Sequence, residues 1–478
     1  MHKFTIYSFF AFLLLFSFFI NTARAQQNRV WTLEECIEHA WENNLHLQQQ
    51  KLTLGIAREN LSQSRANLFP SLNASASHAY NFGRRVDPFT NEFSTESIQS
   101  NNFSLSTAVN IFNGFQLQNA IKQNAIELEA TRFDLDKTYN DIALMVASAY
   151  LQVLFAGELV ENAVNQLEIS RLQVERTARL VEAGTLPRGA LLTIQAQMAT
   201  EELQLVNAQN QLDLSYLNLS QLLFLPPEEE FVIASPDIDL EPEEEPGQSP
   251  MQVFQTAAQQ QPEVKSAELR IVSAERGLDI ARGGRYPMLS LRGALGTGYS
   301  EASIEPVGST VVGVEPIAVT ASGEDVFVPV FEYDTRIKPF RNQVEDNFNQ
   351  SVGLYLTIPI FNNYQTRSAI SRSRINLDNA RLQNQIVREQ LFQTIQQAHA
   401  DATAALKRYT ATDKNVEALE ESFRYSEQRF NVGMMNSVEY NDAKNRLAAA
   451  QSEMLQAKYE YLFRMKILDF YMGNPLSL

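Results

Sequence analysis

The sequence contains a single cysteine, Cys36, in 478 residues. An intrachain disulfide is therefore excluded, and stability has to come from packing and assembly. Basic residues are also scarce: 39 Lys and Arg stand against 56 Asp and Glu, a net charge of −17. It becomes −19 once Lys3 and Arg24 leave with a leader segment. Such a chain is repelled by phosphate backbones, and no Lys/Arg cluster argues otherwise, so nucleic acid is excluded as a partner. Past that leader, no run of 18 or more apolar residues occurs. Any route across a membrane then has to use β-strands and not helices.

The leader is residues 1–25: Lys3, the apolar run "IYSFFAFLLLFSFFI", then "ARA". This is the pattern of a signal peptide cleaved after Ala25, and the run is shorter than the roughly 20 residues of a spanning helix. Cys36 lies well beyond that cleavage site, so it is not a lipid-bearing first residue.

Proline and glycine are missing from two long stretches. Phe115 to Ala183 has no proline and only Gly157, and Gln365 to Val432 has neither. Each stretch can form a helix roughly 100 Å long at 1.5 Å per residue.

The chain is also internally repeated. "VNIFNGFQLQNAI" at 109–121 returns as "IPIFNNYQTRSAI" at 358–370, 249 positions on, and Gly184 falls opposite Gly433 at the same shift. Earlier positions keep a shift of 217: Ala57 over Ala274, Leu61 over Leu278, Pro70 over Pro287, Leu72 over Leu289. The second half therefore carries a block of 32 additional residues between Leu289 and Ile358. This divides the mature chain into a first repeat at 26–226, an acidic, Pro-rich linker at 227–248 and a second repeat at 249–478.

Each repeat opens on a capping box, "TLEE" at Thr32 and "SPMQ" at Ser249, and the helix it starts ends before Pro70 or Pro287. The period then changes to two. Strands are expected at about 71–82, 102–112, 288–299 and 350–361. In the clearest two, Phe103, Leu105, Val109 and Ile111 share one parity, as do Val352, Leu354, Leu356, Ile358 and Ile360. The connections, "GRRVDPFTNEFSTESIQS" and a polar stretch at about 300–347, read as outward loops. Asn113–Gly114 and Asn362–Asn363 then lead into the long helices, about 115–183 and 365–432.

Return helices are expected at about 188–224 and 437–471. Leu191, Met198, Leu205, Leu212 and Leu219 keep a heptad in the first, and Tyr440, Leu447, Met454, Tyr461 and Leu468 repeat it in the second. Long and return helices thus form antiparallel coiled-coil pairs, with Ala443, Ala450 and Ala457 allowing close approach. Four strands cannot close a barrel, so several copies have to pool theirs.

The duplicated layout, the "IFNGF" and "IFNNY" junctions, and the tip turns "RLVEAGTLPRGALL" and "RFNVGMMNSVEYNDA" resemble the TolC-like outer membrane efflux proteins over essentially the whole mature chain. The resemblance implies a homotrimer in the outer membrane of a Gram-negative bacterium. Its fold would be mainly α with a membrane β-barrel of 12 strands, continued by a long periplasmic α-helical barrel. It implies an export duct for drugs, small molecules or polypeptides, working with a periplasmic adaptor and an inner-membrane pump of RND, ABC or MFS type. No cofactor, catalytic residue or metal is implied. By resemblance, Gly184, Thr185, Leu186, Val432, Gly433, Met434 and Met435 are adaptor-docking tips, and Glu439 and Asp442 ring the periplasmic aperture and attract cations. The bare residues also allow helix capping: Asn436 with Glu439, Asp442 with Arg446, and glycine as a helix C-cap. The family's latch arginine is Met435 here and its aspartate partner is Ala190, so other contacts must hold a closed state.

Two other classes compete. A structural envelope coiled coil without transport activity fits the heptads but not the strand pairs. A hydrolase lacks support: no G-x-S-x-G occurs, and His39, His46, His78 and His399 lack metal-ligand spacing. No Walker-type G-x-x-x-x-G-K-[ST] occurs either, and "GALGTG" (Gly293 to Gly298) sits in an expected strand, so energy for export has to come from a partner.

Overall fold

The computed structural model describes residues 30–83, 85–86, 91, 93–94, 97–226, 231–236 and 247–476. The expected leader at 1–25 and most of the linker at 227–248 lie outside the described residues. In chain order the elements are β1 (Val30–Trp31), α1 (Leu33–Asn43), α2 (Leu45–Ala66), β2 (Ser71–Asn81), β3 (Arg85–Val86), β4 (Phe93–Ser94), β5 (Ile98–Phe112), α3 (Gln116–Glu182) and α4 (Arg188–Leu223). They continue with β6 (Val232–Ile233), α5 (Pro250–Gln260), α6 (Pro262–Gly283), β7 (Met288–Ser300), β8 (Ile304–Val319), β9 (Asp325–Ile337), α7 (Phe340–Asp346), β10 (Asn349–Thr357), α8 (Gln365–Asn431) and α9 (Ser437–Met472).

The duplication is visible in the lengths. α3 and α8 have 67 residues each, and α4 and α9 have 36 each. Each repeat opens on two helices where the sequence suggested one. Thr32 and Ser249 close complete capping boxes at α1 and α5. The chain then breaks at Asn44 and again at Gln261, both extended. Asn44 Oδ1 accepts from the backbone N–H of His46 at 2.9 Å and starts α2, whereas Pro262 forces Gln261 out of helical geometry before α6.

The chain divides into two compact units. The first comprises residues up to Gly55, Glu129–Leu269 and Leu382–Leu478. Its core is helical. Cys36, Ala40 and Leu47 pack with Val146, Tyr150, Val153, Leu219, Leu223, Tyr459 and Leu462. Each large apolar side chain buried this way contributes about 1.5–3 kcal/mol. Burial pushes the Cys36 thiol up to about 12, so it is an inert packing group. The most apolar 18 residues of α3 have a mean hydropathy of 1.7, and 56% of that window is buried here, which is the signature of a core helix. A short piece of the expected linker is also structured: β6 pairs in parallel with β1, and the Tyr150 hydroxyl donates to the Ala234 carbonyl at 2.6 Å. Tyr409 and Tyr461 stack at 6.1 Å between α8 and α9.

The second unit comprises Ile56–Leu128 and Arg270–Arg381. It holds an antiparallel four-stranded sheet in the order β10-β7-β5-β2. Pairing is continuous from Ser71↔Ala108 to Asn81↔Ile98 and from Asn349↔Gly296 to Thr357↔Met288. Opposed residues share a face, so Val109, Leu291 and Leu354 fall on one side with Leu105 and Leu295. Ser75, Ser104, Gly296 and Asn349 fall on the other. There Ser75 and Ser104 hydroxyls lie 2.7 Å apart. The apolar face is open: Val352, Leu354, Leu356 and Leu72 are each more than 60% exposed. β5 starts earlier than expected, at Ile98, and β10 stops at Thr357 because Pro359 has no N–H for the ladder.

The stretch at 300–347, expected as a loop, is a long hairpin. β8 and β9 pair from Ile304↔Ile337 to Val319↔Asp325, and register shifts around Val307, Val312 and Ile317 bulge β8. Its base is clamped by Gln343, 1% exposed, whose amide accepts from Ser300 N–H at 2.9 Å and donates to the Ser300 and Lys338 carbonyls.

Candidate functional site

Two groups of residues carry the functional expectations, one in each unit. The strand-to-helix junctions belong to the second unit. Gly114 has φ +66° and Phe115 φ +62°, and the positions 249 residues on, Asn363 and Tyr364, have φ +51° and +60°. Two successive left-handed residues turn the chain from strand into helix. Glycine takes the first position without cost and asparagine tolerates it, while the aromatic residues carry strain. Gly114 is required twice over, because a Cβ there would lie 2.3 Å from the Gly283 carbonyl oxygen. Asn113 Oδ1 accepts from the Leu117 N–H at 3.4 Å and so satisfies a free N–H of the first turn of α3, whereas Asn362 Nδ2 donates to Thr366 Oγ1 at 2.6 Å, a side-chain bond that ties the junction to the start of α8 without capping it. Pro70 and Pro287 stand immediately before β2 and β7.

The tips belong to the first unit. Gly184 (φ +75°) and Gly433 (φ +76°) end α3 and α8. Thr185 N–H donates to Leu180 O at 2.9 Å, and Met434 N–H to Arg429 O at 2.8 Å, closing the six-to-one bond of a glycine C-cap. A Cβ at either glycine meets nothing within 4 Å. Of the apolar tip residues, Val432 and Met434 are exposed, whereas Met435 and Leu186 are half-buried.

α9 begins at the N-cap Asn436, whose Oδ1 accepts from Val438 N–H (3.0 Å) and Glu439 N–H (2.9 Å). Asn436 Nδ2 in turn donates to Glu439 Oε1 at 2.9 Å, and Asp442 pairs with Arg446 at 2.9 Å. Glu439 and Asp442 are both exposed, one turn apart. Between them Tyr440 turns inward, 1% exposed, stacked on Phe430 at 4.5 Å. Burial pushes its hydroxyl up to about 12.

The sequence reading missed the polar centre of this bundle. Lys444 and Glu201 form an ion pair at 2.9 Å with side chains 2% and 3% exposed. The apolar heptad of α4 passes it by. The signal was a second seven-residue row, Ile194, Glu201, Ala208, Ser215 and Leu222, in which a carboxylate sits at a buried position.

The family model described as outer membrane efflux protein matches residues 36–223 and 253–474, both repeats. The chain belongs to this family. As an outer membrane efflux protein it is 23% identical over 446 residues to the outer membrane protein TolC of Escherichia coli, covering 92% of this chain and 82% of TolC. It is 20% identical over 429 residues to the outer membrane efflux protein BepC of Brucella suis, covering 90% and 82% of the two chains. Its fold is similar to that of the outer membrane protein VceC of Vibrio cholerae, with a TM-score of 0.70 at 15% identity over 92% of this chain and 96% of that one. Family membership places this chain in the outer membrane as an efflux channel protein.

Proposed function

We propose that three copies of this outer membrane efflux protein form one duct that passes drugs, small molecules or polypeptides from the periplasm to the exterior. The observation that carries the reading is the sheet. Its strands present one apolar and one polar face, and its outer strands β10 and β2 have no neighbour among the described residues. Inside lipid those edges would leave a row of unpaired backbone groups, each costing several kcal/mol. Pairing β10 of one copy with β2 of the next removes the edges, and three copies give the 12 strands that the family resemblance implies. Apolar side chains then face lipid and serine and asparagine face the lumen.

An adaptor hairpin would dock at the exposed tip residues Val432, Gly433 and Met434, and at Gly184 and Thr185. An inner-membrane pump would supply the energy. Glu439 and Asp442 from three copies would place six carboxylates around the entrance. Glu439 accepts from the Asn436 side chain and Asp442 pairs with Arg446 along the helix surface, but both carboxylates stay exposed and available to a cation. A coiled-coil envelope scaffold would not need a sheet with an open apolar face.

Native mass measurement in mild detergent tests the assembly. A particle of three chains supports the reading, and a stable monomer that keeps its β-signal refutes it.

A further inference from the structure

Most of the helical unit is held by apolar clusters, but towards the tips the contact between the repeats becomes polar. One stripe of α3 carries Gln166, Ser170, Gln173 and Arg176. It meets the second repeat in antiparallel order. Gln166 Nε2 donates to Gln451 Oε1 at 3.4 Å, Lys444 Nζ to Ser170 Oγ at 2.8 Å, and Gln173 Nε2 to the Tyr440 hydroxyl at 3.4 Å. Arg176 Nη2 donates to the Asn431 carbonyl at 3.1 Å. At the centre, Lys444 Nζ also donates to the Gln166 carbonyl at 2.7 Å and to both oxygens of Glu201, at 2.9 and 3.0 Å. Gln197 Nε2 donates to Glu201 Oε1 at 2.9 Å and to Asn445 Oδ1 at 2.8 Å, so a second polar contact joins α4 to α9 beside the first.

A buried ion pair is a poor way to gain stability, because desolvation offsets most of the attraction, and burial here pulls the Lys444 ammonium below its ordinary range. What such a pair does supply is register, as a lone polar contact does in a coiled coil. A slip of one heptad on α4 would set Lys444 against Ile194 or Ala208 and leave a buried ammonium without its carboxylate. The seam is also incompletely paired: Gln166 Oε1 and Gln173 Oε1 are buried with no partner. Each buried acceptor without a donor costs about 1–3 kcal/mol, so this seam adds little stability of its own.

Register matters because Lys444 lies on the same rigid helix as the candidate aperture, five residues after Glu439 and two after Asp442, no more than about 8 Å along the axis. We propose that Lys444 and Glu201 are positioning residues for the aperture: their pair fixes α9 on α3 and α4 so that Glu439 and Asp442 stay at the entrance, and opening requires the pair to separate. This rests on the duct reading above.

The test is single-channel conductance of the purified full-length protein in planar bilayers, with lanthanide added on the tip side. Glu201→Gln should raise resting conductance several-fold and weaken lanthanide block, although neither aperture carboxylate is altered. The charge exchange Glu201→Lys/Lys444→Glu should return both values towards wild type. Lys444→Met/Glu201→Leu keeps the volume buried and should stay trimeric and heat-stable while conducting like Glu201→Gln. A trimeric apolar double variant with wild-type conductance and block would overturn the proposal. So would Glu201→Gln indistinguishable from wild type. A conducting wild type with silent variants refutes only this inference, whereas a wild type that never conducts refutes the duct reading as well.

Discussion

Asp442 Oδ2 lies 2.9 Å from the Arg446 guanidinium one turn further along α9, with the two side chains 60% and 69% exposed. An exposed pair of this kind is worth only about 0.3–0.5 kcal/mol, too little to withhold the carboxylate from a multivalent cation. Arg446 nonetheless offsets part of the negative charge at the proposed entrance. Arg446→Ala should therefore lower the lanthanide concentration that half-blocks the channel, and Glu439→Ala/Asp442→Ala should abolish block. Equal block in wild type and the double variant would leave these residues as helix caps.

Gly114 and Gly433 both have positive φ, yet they should respond differently to alanine. At Gly114 a Cβ would meet the Gly283 carbonyl oxygen at 2.3 Å, so Gly114→Ala should destabilise by about 2–4 kcal/mol from overpacking plus left-handed strain. At Gly433 nothing lies within 4 Å, and Gly433→Ala should cost about 1 kcal/mol. Heat-denaturation midpoints of the two variants compare these directly. A bulky residue at Gly433 should leave assembly intact while export fails, and normal export would count against docking at that tip.

Tyr440 supplies a pH dependence. Its hydroxyl is pushed from 10 up to about 12, so between those pH values the folded protein keeps a proton that the unfolded chain releases. The associated stability is complete below pH 10 and is lost as pH rises towards 12, by about 2–3 kcal/mol at most. Tyr440→Phe should flatten the fall in helical signal over that window, and an unchanged alkaline profile would contradict the assignment.

The β8–β9 hairpin should be dispensable for folding. Lys338 N–H donates to the Ser303 carbonyl at 2.8 Å and Gln343 ties Ser300 to Lys338, so the base is closed without the hairpin above it. Deleting residues 305–336 removes the same number of residues as the block of 32 that the second repeat carries beyond the first. The deleted protein should keep the heat stability of its sheet, and loss of the folded sheet would show that the hairpin braces it.

The periodic parts of this fold were legible in the sequence. The shift of 249 placed both junctions, and residues 114 and 363 are indeed left-handed at equivalent positions. Proline and glycine marked where strands begin and helices end. The breaks at Asn44 and Gln261 were harder to read, since the apolar pattern continues across them. The hairpin was hidden because three bulges and Pro306, Pro316 and Pro329 interrupt the alternation that announces a strand. Lys444 and Glu201 were invisible to a search for apolar heptads. The row through Ile194 and Ser215 puts Glu201 at a buried position, but its partners come from two other helices, which no single-helix period encodes.

Whether copies of this chain enclose a continuous conducting path is decided by single-channel recording from the purified protein in planar lipid bilayers. A duct of three copies should give long-lived, discrete, cation-selective steps that lanthanide added on the tip side blocks. Protein that inserts as a trimer and carries no current under any applied voltage would contradict it.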